Sequence, residues 1–216
     1  LVLGDPEPEL VAELEAAGAA VEAVAGVRNL SKPESAPTLV AAALERFGRV
    51  DSAVAFSGQI VVGRFMNSSL EDLRTVVTGC LEGPYPFLKA AAAPMVEQGD
   101  GQILLIASAA GARPTPGAPL YSAVRAGATM MAKNLAVEIA RNGVQVNAVG
   151  TNFMDFPEFL AASGATDPAV RAKYEAEVPL RRLGTMEEFA SFCMPFVDGT
   201  SRFTTGQFVA YAGGWA

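Results

Sequence analysis

The chain contains no histidine, and this absence excludes several kinds of active site. Without His there is no Ser-His-Asp triad, no Cys-His pair and no histidine metal site. Any general acid or base must therefore be Tyr, Lys, Asp, Glu or a thiol. The two cysteines, Cys80 and Cys193, are too few for a disulfide framework or a zinc site, and we expect them to be semi-buried thiols.

Basic charge and long apolar runs are also scarce. The formal net charge is −7, whereas nucleic acids and anionic membranes require clustered Lys and Arg. No run reaches the roughly 18 to 20 apolar residues that span a bilayer, and no signal peptide is visible at the start. With half of its 216 residues apolar and 18% charged, the chain is expected to be a soluble, cytoplasmic, single-domain protein.

Strand-like and helix-like segments alternate along the chain. The predicted strands are 1–4, 19–25, 51–58, 101–108, 144–150 and 206–213. The predicted helices are 8–18, 36–48, 69–98 with an interruption near Gly83 and Pro84, 121–143, and one near 185–197, which follows a long loop. This alternation is typical of an α/β fold, here a single doubly wound parallel sheet with helices on both faces.

Ligands of such a fold bind at the carboxyl ends of the strands. Ser108, Gly58 and Gly150 are predicted to lie at such ends. Ser108 is followed by Tyr121 and then, one helical turn later, by Arg125, so the last two side chains are neighbours on one helix face. The intervening Pro- and Gly-rich loop is expected to fold back and bring Ser108 to the same point.

These three residues suggest a proton-transfer site. A tyrosine with a reference pKa of about 10 is a poor base at neutral pH, but a permanently charged guanidinium beside it favours the phenolate. Ser108 would then bind the substrate oxygen while Tyr121 takes its proton. A Ser, a Tyr and an Arg also occur by chance at these spacings, and only their placement after a buried strand and at the head of a long helix favours the functional interpretation.

From about Val50 onward the chain resembles the short-chain dehydrogenase/reductase superfamily. The similar segments are "DSAVAFSG", the Ser108 and Tyr121 pair, "VQVNAVG", "VPLRRLGTMEEFA" and "TTGQFVAYAGGW". Most members carry Lys at the position of Arg125. The resemblance implies a Rossmann-like fold and a homotetramer formed through the two long helices, about 69–98 and 121–143.

Four features depart from the dehydrogenase pattern. Arg125 replaces the lysine; "GDPEPE" stands where the family has a glycine-rich turn; Leu81 lies near the place of a proton-relay asparagine; and Thr151 and Asn152 replace a Pro-Gly pair. Together with "LYSAVRAGA" and "GTNFMDFPEF", these departures resemble the halohydrin dehalogenase branch of the superfamily.

That resemblance implies a carbon–halogen lyase that needs no cofactor. Vicinal haloalcohols would be converted reversibly to epoxides with release of halide, and small anions such as azide, cyanide or nitrite would open epoxides. Ser108 and Tyr121 would bind the hydroxyl, with Arg125 supporting the phenolate. The halide pocket would be formed by Thr151, Asn152, Phe153 and Phe159, while Asp155 and Glu158 would point outward.

Two alternatives remain open at this stage. One is an NAD(P)-dependent oxidoreductase in which Arg125 substitutes for the lysine. The other is a non-catalytic descendant of the superfamily that serves as a scaffold or a small-molecule binder.

Overall fold

The strands of the computed structural model lie close to the predicted ones. The structure describes residues 1–27, 29–56 and 58–216. In this part of the chain the strands are β1 (Val2–Gly4), β2 (Glu22–Val24), β3 (Ser52–Phe56), β4 (Gly101–Ser108), β5 (Val144–Thr151), β6 (Met154–Asp155), β7 (Gly184–Thr185) and β8 (Phe208–Tyr211). The predicted strand 51–58 includes position 57, which lies outside the described residues.

The helices are longest in the middle of the chain. Those of the described residues are α1 (Pro8–Ala16), α2 (Ser35–Phe47), α3 (Leu70–Val77), α4 (Pro84–Gln98), α5 (Pro119–Ile139), α6 (Pro157–Ser163), α7 (Pro168–Glu177) and α8 (Met186–Cys193). Single turns of 3-10 helix follow β4 (Ala109–Ala112) and α5 (Ala140–Asn142). A π-helical turn, Thr78–Glu82, connects α3 to α4 and accounts for the predicted interruption near Gly83.

The strands pair in parallel, in the order β3-β4-β5-β8 for the largest group. β1 pairs with β2 and β6 pairs with β7, each as a separate two-stranded group. Along β4 and β5 the register runs from Gly101 opposite Val144 to Ser108 opposite Thr151. The carboxyl ends of these two central strands therefore lie side by side.

Side chains alternate between the two faces of the four-stranded group. Ile103 and Leu105 face the helices α4 and α5, where they pack in one core cluster with Met95. Leu104 and Ile106 face the opposite way and pack with Phe189 of α8. Because both faces are covered, every residue of β4 is buried. The predicted α/β class, with parallel strands between helices, is confirmed.

The main difference from the prediction lies between β5 and α8. The predicted long loop contains the helices α6 and α7 and the two-residue strands β6 and β7. α7 begins at Pro168, and the side chain of the preceding Asp167 accepts a hydrogen bond from the Ala169 N–H and so caps the helix. No helix among the described residues has the length and apolar character required to cross a membrane.

Candidate functional site

A cavity of about 490 Å³ opens at the carboxyl ends of β3, β4 and β5. All the predicted site residues line it, namely Ser108, Tyr121, Arg125, Thr151, Asn152, Phe153 and Phe159. The remaining lining residues are Gly58, which was predicted to lie at a ligand-binding strand end, and six residues that were not predicted, namely Phe56, Ile60, Ile106, Ala107, Met154 and Phe156. Their position at or just after strand ends is the signal that could have identified them.

Ser108 is held at the end of β4 by two backbone groups. Its Oγ accepts a hydrogen bond from the Ala110 N–H at 3.2 Å and donates one to the Thr151 carbonyl oxygen at 3.4 Å. The second bond is at the long end of hydrogen-bonding distances and is therefore weak. A substrate oxygen can therefore replace the Thr151 carbonyl oxygen as the acceptor of the Ser108 hydroxyl, because only a weak hydrogen bond is lost.

The connection between Ser108 and Tyr121 folds back, as predicted. Ser122, in the first turn of α5, donates its hydroxyl to the carbonyl oxygens of Ala110 and Arg113, each at 2.8 Å. Gly111 also packs directly against the helix, because a Cβ at this position would lie 3.0 Å from the Ala126 nitrogen. These contacts hold the first turn of α5 against the end of β4 and place Tyr121 beside the cavity.

Arg125 lies one turn beyond Tyr121, with 4% of its surface exposed. Its guanidinium carbon is 5.1 Å from the centre of the Tyr121 ring, which is a cation–π contact. On its other side the guanidinium packs against Gly58, where any side chain would overlap with it. The predicted pairing of Arg125 with Tyr121 is confirmed in position, and the charge lies over the ring of the tyrosine.

The chain after β5 forms the aromatic wall of the cavity. Phe153 has a φ of 52°, a left-handed conformation that costs a non-glycine residue roughly 1–2 kcal/mol. Its ring packs against Tyr174, Trp215 and Phe159, with centre-to-centre distances of 5.2, 5.7 and 6.2 Å. These contacts offset the backbone strain and direct the ring to the cavity.

Trp215 is fixed in turn by Arg113, from the loop after β4. The guanidinium carbon of Arg113 lies 4.7 Å from the centre of the Trp215 ring, and its Nη1 donates a hydrogen bond to the Trp215 carbonyl oxygen. Trp215, near the end of the chain, therefore contacts both Arg113 of the Ser108–Tyr121 connection and Phe153 of the cavity wall.

Two carboxylates near this wall are directed away from the cavity. Asp155 forms an ion pair with Arg171, with an Oδ2–Nη2 distance of 2.6 Å, and Glu158 is exposed. The hydrogen bonding that Arg171 donates to the Asp155 carboxylate is the main cause of the raised pKa of Arg171. Neither carboxylate lines the cavity, as predicted.

Asn152 contributes a polar group to the lining of the cavity. Its Nδ2 is buried, and no group of the described residues accepts a hydrogen bond from it. The same residue also lines a smaller adjoining cavity of about 110 Å³. A ligand oxygen that reaches Asn152 could accept a hydrogen bond from its Nδ2.

Comparisons with known proteins identify the family of the chain. A family model described as Enoyl-(Acyl carrier protein) reductase matches residues 1–216. A 3-oxoacyl-(acyl-carrier-protein) reductase of Synechocystis sp. is 33% identical over 208 residues, which are 95% of this chain and 80% of that protein. A 2,5-dichloro-2,5-cyclohexadiene-1,4-diol dehydrogenase, LinX, of Sphingobium indicum is 28% identical over an alignment of 220 positions that covers 100% of this chain and 86% of that protein.

A solved structure agrees in fold. The structure of YwfH, described as an NADPH dependent reductase involved in Bacilysin biosynthesis, superposes with a TM-score of 0.87 at 19% identity. The match covers 100% of this chain and 88% of YwfH.

These relatives overturn one prediction. The expected halohydrin dehalogenase, a carbon–halogen lyase acting on haloalcohols and epoxides, is wrong, because the relatives are named as reductases and dehydrogenases. The physical reason is that a serine and a tyrosine can bind and deprotonate a substrate hydroxyl in both a dehalogenation and an alcohol oxidation. The motif therefore does not show whether a halide or a hydride leaves the substrate. The halide role assigned to Thr151, Asn152, Phe153 and Phe159 is withdrawn with it. The chain belongs to the short-chain dehydrogenase/reductase superfamily.

Proposed function

We propose that the protein is an oxidoreductase that interconverts an alcohol and a carbonyl group with a nicotinamide cofactor. The observation that carries the proposal is the cavity in which Ser108, Tyr121 and Arg125 meet at the carboxyl end of β4. The printed functions of the relatives, reductase and dehydrogenase, support the same class of reaction.

Ser108 and Tyr121 act on the substrate oxygen. In the reductive direction the Ser108 hydroxyl, now on the Thr151 carbonyl oxygen at 3.4 Å, turns to donate to the substrate carbonyl. Tyr121 gives its phenolic proton to the same oxygen, which becomes the hydroxyl of the alcohol. In the oxidative direction Tyr121 takes that proton back.

Arg125 supplies the charge that this proton transfer requires. When the proton leaves, the Tyr121 oxygen carries negative charge, and a permanent positive charge over its ring stabilises that state. The low exposure of Arg125 keeps water from screening this interaction. A lysine at the same position would offer a smaller, more mobile charge with fewer donors.

The cavity fits one end of a nicotinamide cofactor. A bound nicotinamide supplies or accepts the hydride. Its ribose would lie near Arg125 and Gly58, which both line the cavity, and the cavity volume is within the usual range for ligand sites. The β1–α1 turn, in contrast, does not fit the cofactor's diphosphate.

The walls of the cavity indicate the substrate class. Apart from Arg125, the described lining residues are uncharged, and aromatic or branched aliphatic side chains dominate, among them Phe56, Ile60, Phe156 and Phe159. Apolar walls favour apolar groups, and a free carboxylate would lose its hydration without a second cation to replace it. We therefore propose neutral ketones or aldehydes with an aromatic or branched alkyl group.

A reduction assay tests this proposal. Neutral aryl and alkyl ketones, and matched keto acids, are offered with NADH or NADPH, and consumption of the reduced cofactor is followed by absorbance. We expect turnover of the neutral compounds, and a loss of about 10²-fold or more in Tyr121→Phe because the proton donor is gone. Tyr85→Phe, a hydroxyl deletion on the exposed face of α4, should keep full activity.

Two results would contradict the proposal. One is the absence of turnover with every carbonyl compound and both cofactors. The other is equal activity in Tyr121→Phe and Tyr85→Phe, because the phenol of Tyr121 would then have no part in the reaction.

We also propose that the protein assembles as a homotetramer through its long helices. Met130 and Val137 are seven residues apart on one face of α5, and both are exposed, Val137 at 82%. Light scattering should give four times the chain mass, and Val137→Glu should give a smaller species. Val62→Glu, at an exposed loop valine, is the matched control, and a monomeric wild-type protein would refute the proposal.

A further inference from the structure

The turn between β1 and α1 lacks the groups that bind phosphate. β1 ends at Gly4 and α1 begins at Pro8. In parallel α/β folds, glycines in this turn let a diphosphate approach the backbone, and the first N–H groups of the helix bind it. Pro8 has no N–H, and Glu9 places a carboxylate in the first turn of the helix. This helix start therefore offers fewer donors and adds negative charge.

Acceptor groups surround the same turn. The Asp5 side chain accepts a hydrogen bond from the Gly26 N–H at 2.7 Å, and its own N–H binds the Val24 carbonyl oxygen. The Val27 carbonyl oxygen lies against Gly4, only 2.9 Å from where a Cβ would be. The Gly26 donor is thus already used by a carboxylate, and a carbonyl oxygen faces the end of β1.

The cavity at the carboxyl ends of β3, β4 and β5 differs from this turn in its binding groups. It contains the buried Arg125 guanidinium, the hydroxyl groups of Ser108 and Tyr121, and the available Asn152 Nδ2. Ser108 and Tyr121 act on the substrate oxygen, and the Arg125 guanidinium and the Asn152 amide suit the ribose hydroxyls and the amide oxygen of a cofactor's nicotinamide. The structure therefore has binding groups for the nicotinamide nucleoside and opposing groups at the diphosphate position.

We propose that this chain recognises its nicotinamide cofactor through the nicotinamide nucleoside alone. The adenosine diphosphate end contributes little or no affinity. This inference rests on the proposed oxidoreductase function and specifies which chemical part of the hydride carrier the protein binds.

Calorimetric titration of the wild-type protein tests it with NAD⁺, NADP⁺, nicotinamide riboside and ADP-ribose. We expect nicotinamide riboside and NAD⁺ to have dissociation constants within about threefold of each other, and ADP-ribose not to bind. Binding of NAD⁺ or NADP⁺ about tenfold tighter than nicotinamide riboside would overturn the inference and leave the proposed function intact. No binding of any nicotinamide compound would overturn both.

A charge deletion in the turn gives an independent test. Glu9→Gln removes a carboxylate from the first turn of α1, and Glu15→Gln removes an exposed one near the end of the same helix. We expect Glu9→Gln to tighten NAD⁺ binding by about threefold and to leave nicotinamide riboside unchanged, since only NAD⁺ carries phosphate to this helix end. Glu15→Gln should change neither, and equal effects of the two variants on NAD⁺ would count against a repulsive turn.

Discussion

Replacement of Gly111 by alanine tests the contact that aligns Ser108 with Tyr121. Gly111 lies in the 3-10 turn after β4, whose backbone angles any L residue adopts. An added Cβ would stand 3.0 Å from the Ala126 nitrogen and 3.0 Å from the Arg125 carbonyl carbon. Both are backbone atoms of the 21-residue helix α5, so they cannot move away individually as a side chain would.

The expected magnitude follows from two opposing effects. Overpacking of this kind costs about 1–3 kcal/mol. The loss of glycine's freedom in the unfolded chain returns about 0.4–1 kcal/mol. The net destabilisation is about 1–2 kcal/mol, which lowers the Tm of a chain of this size by about 2–8 °C. Because the displaced atoms carry Arg125, we also expect the turnover number to fall.

Thermal unfolding and carbonyl reduction should be measured together, with Gly127→Ala as the matched control. Gly127 is exposed on the same helix, and the nearest atom to its added Cβ is Leu81 Cδ1 at 3.7 Å, an ordinary contact. That variant should gain up to about 1 kcal/mol from helix propensity and keep its activity. The reasoning is refuted if Gly111→Ala raises the Tm as Gly127→Ala does and remains fully active.

The remaining predictions concern titrating groups. Hydrogen bonds from Arg182 and from the Thr185 N–H lower the pKa of Glu188 from 4.5 to about 2, so its contribution to stability is complete above 4.5 and is lost as the pH falls toward 2. The stability gap between wild type and Glu188→Gln, measured by urea unfolding, should therefore close over this range, and a constant gap would contradict the ion pair. Burial raises the pKa of Cys193 to about 11, so a thiol probe at neutral pH should react much faster with the urea-unfolded chain than with the native one. Equal rates would show that the native thiol is accessible.

The central strands and long helices could be predicted from the sequence because their patterns are strong. β4 matches the predicted 101–108 at both ends, since an uninterrupted apolar run leaves few other structures possible. β6 and β7 were missed because two residues carry no periodicity, and their pairing depends on a register between Met154 and Gly184 that is distant in sequence. The left-handed Phe153 could not be predicted either, because only its ring contacts make that conformation acceptable.

The site was easier to predict than its reaction. The position of Ser108 at a strand end and the one-turn spacing of Tyr121 and Arg125 could be predicted because both depend on local geometry alone, whereas the contacts of Ser122 and Gly111 that bring Ser108 and Tyr121 together could not. The contact of Arg125 with Gly58 depends on tertiary packing, which spacing does not encode. The dehalogenase interpretation was wrong because neither a lost glycine turn or lysine nor short similar segments such as "LYSAVRAGA" specify which bond an enzyme breaks.

The position of Trp215 should make its intrinsic fluorescence sensitive to ligand binding in the cavity. It is the only tryptophan of the chain, so all indole emission has a single origin. Its ring contacts the Arg113 guanidinium and also, edge to face, the ring of Phe153, which lines the cavity. Any molecule that shifts Phe153 on entering will alter the polarity and quenching around this one fluorophore, and cavity occupancy can be followed without a label.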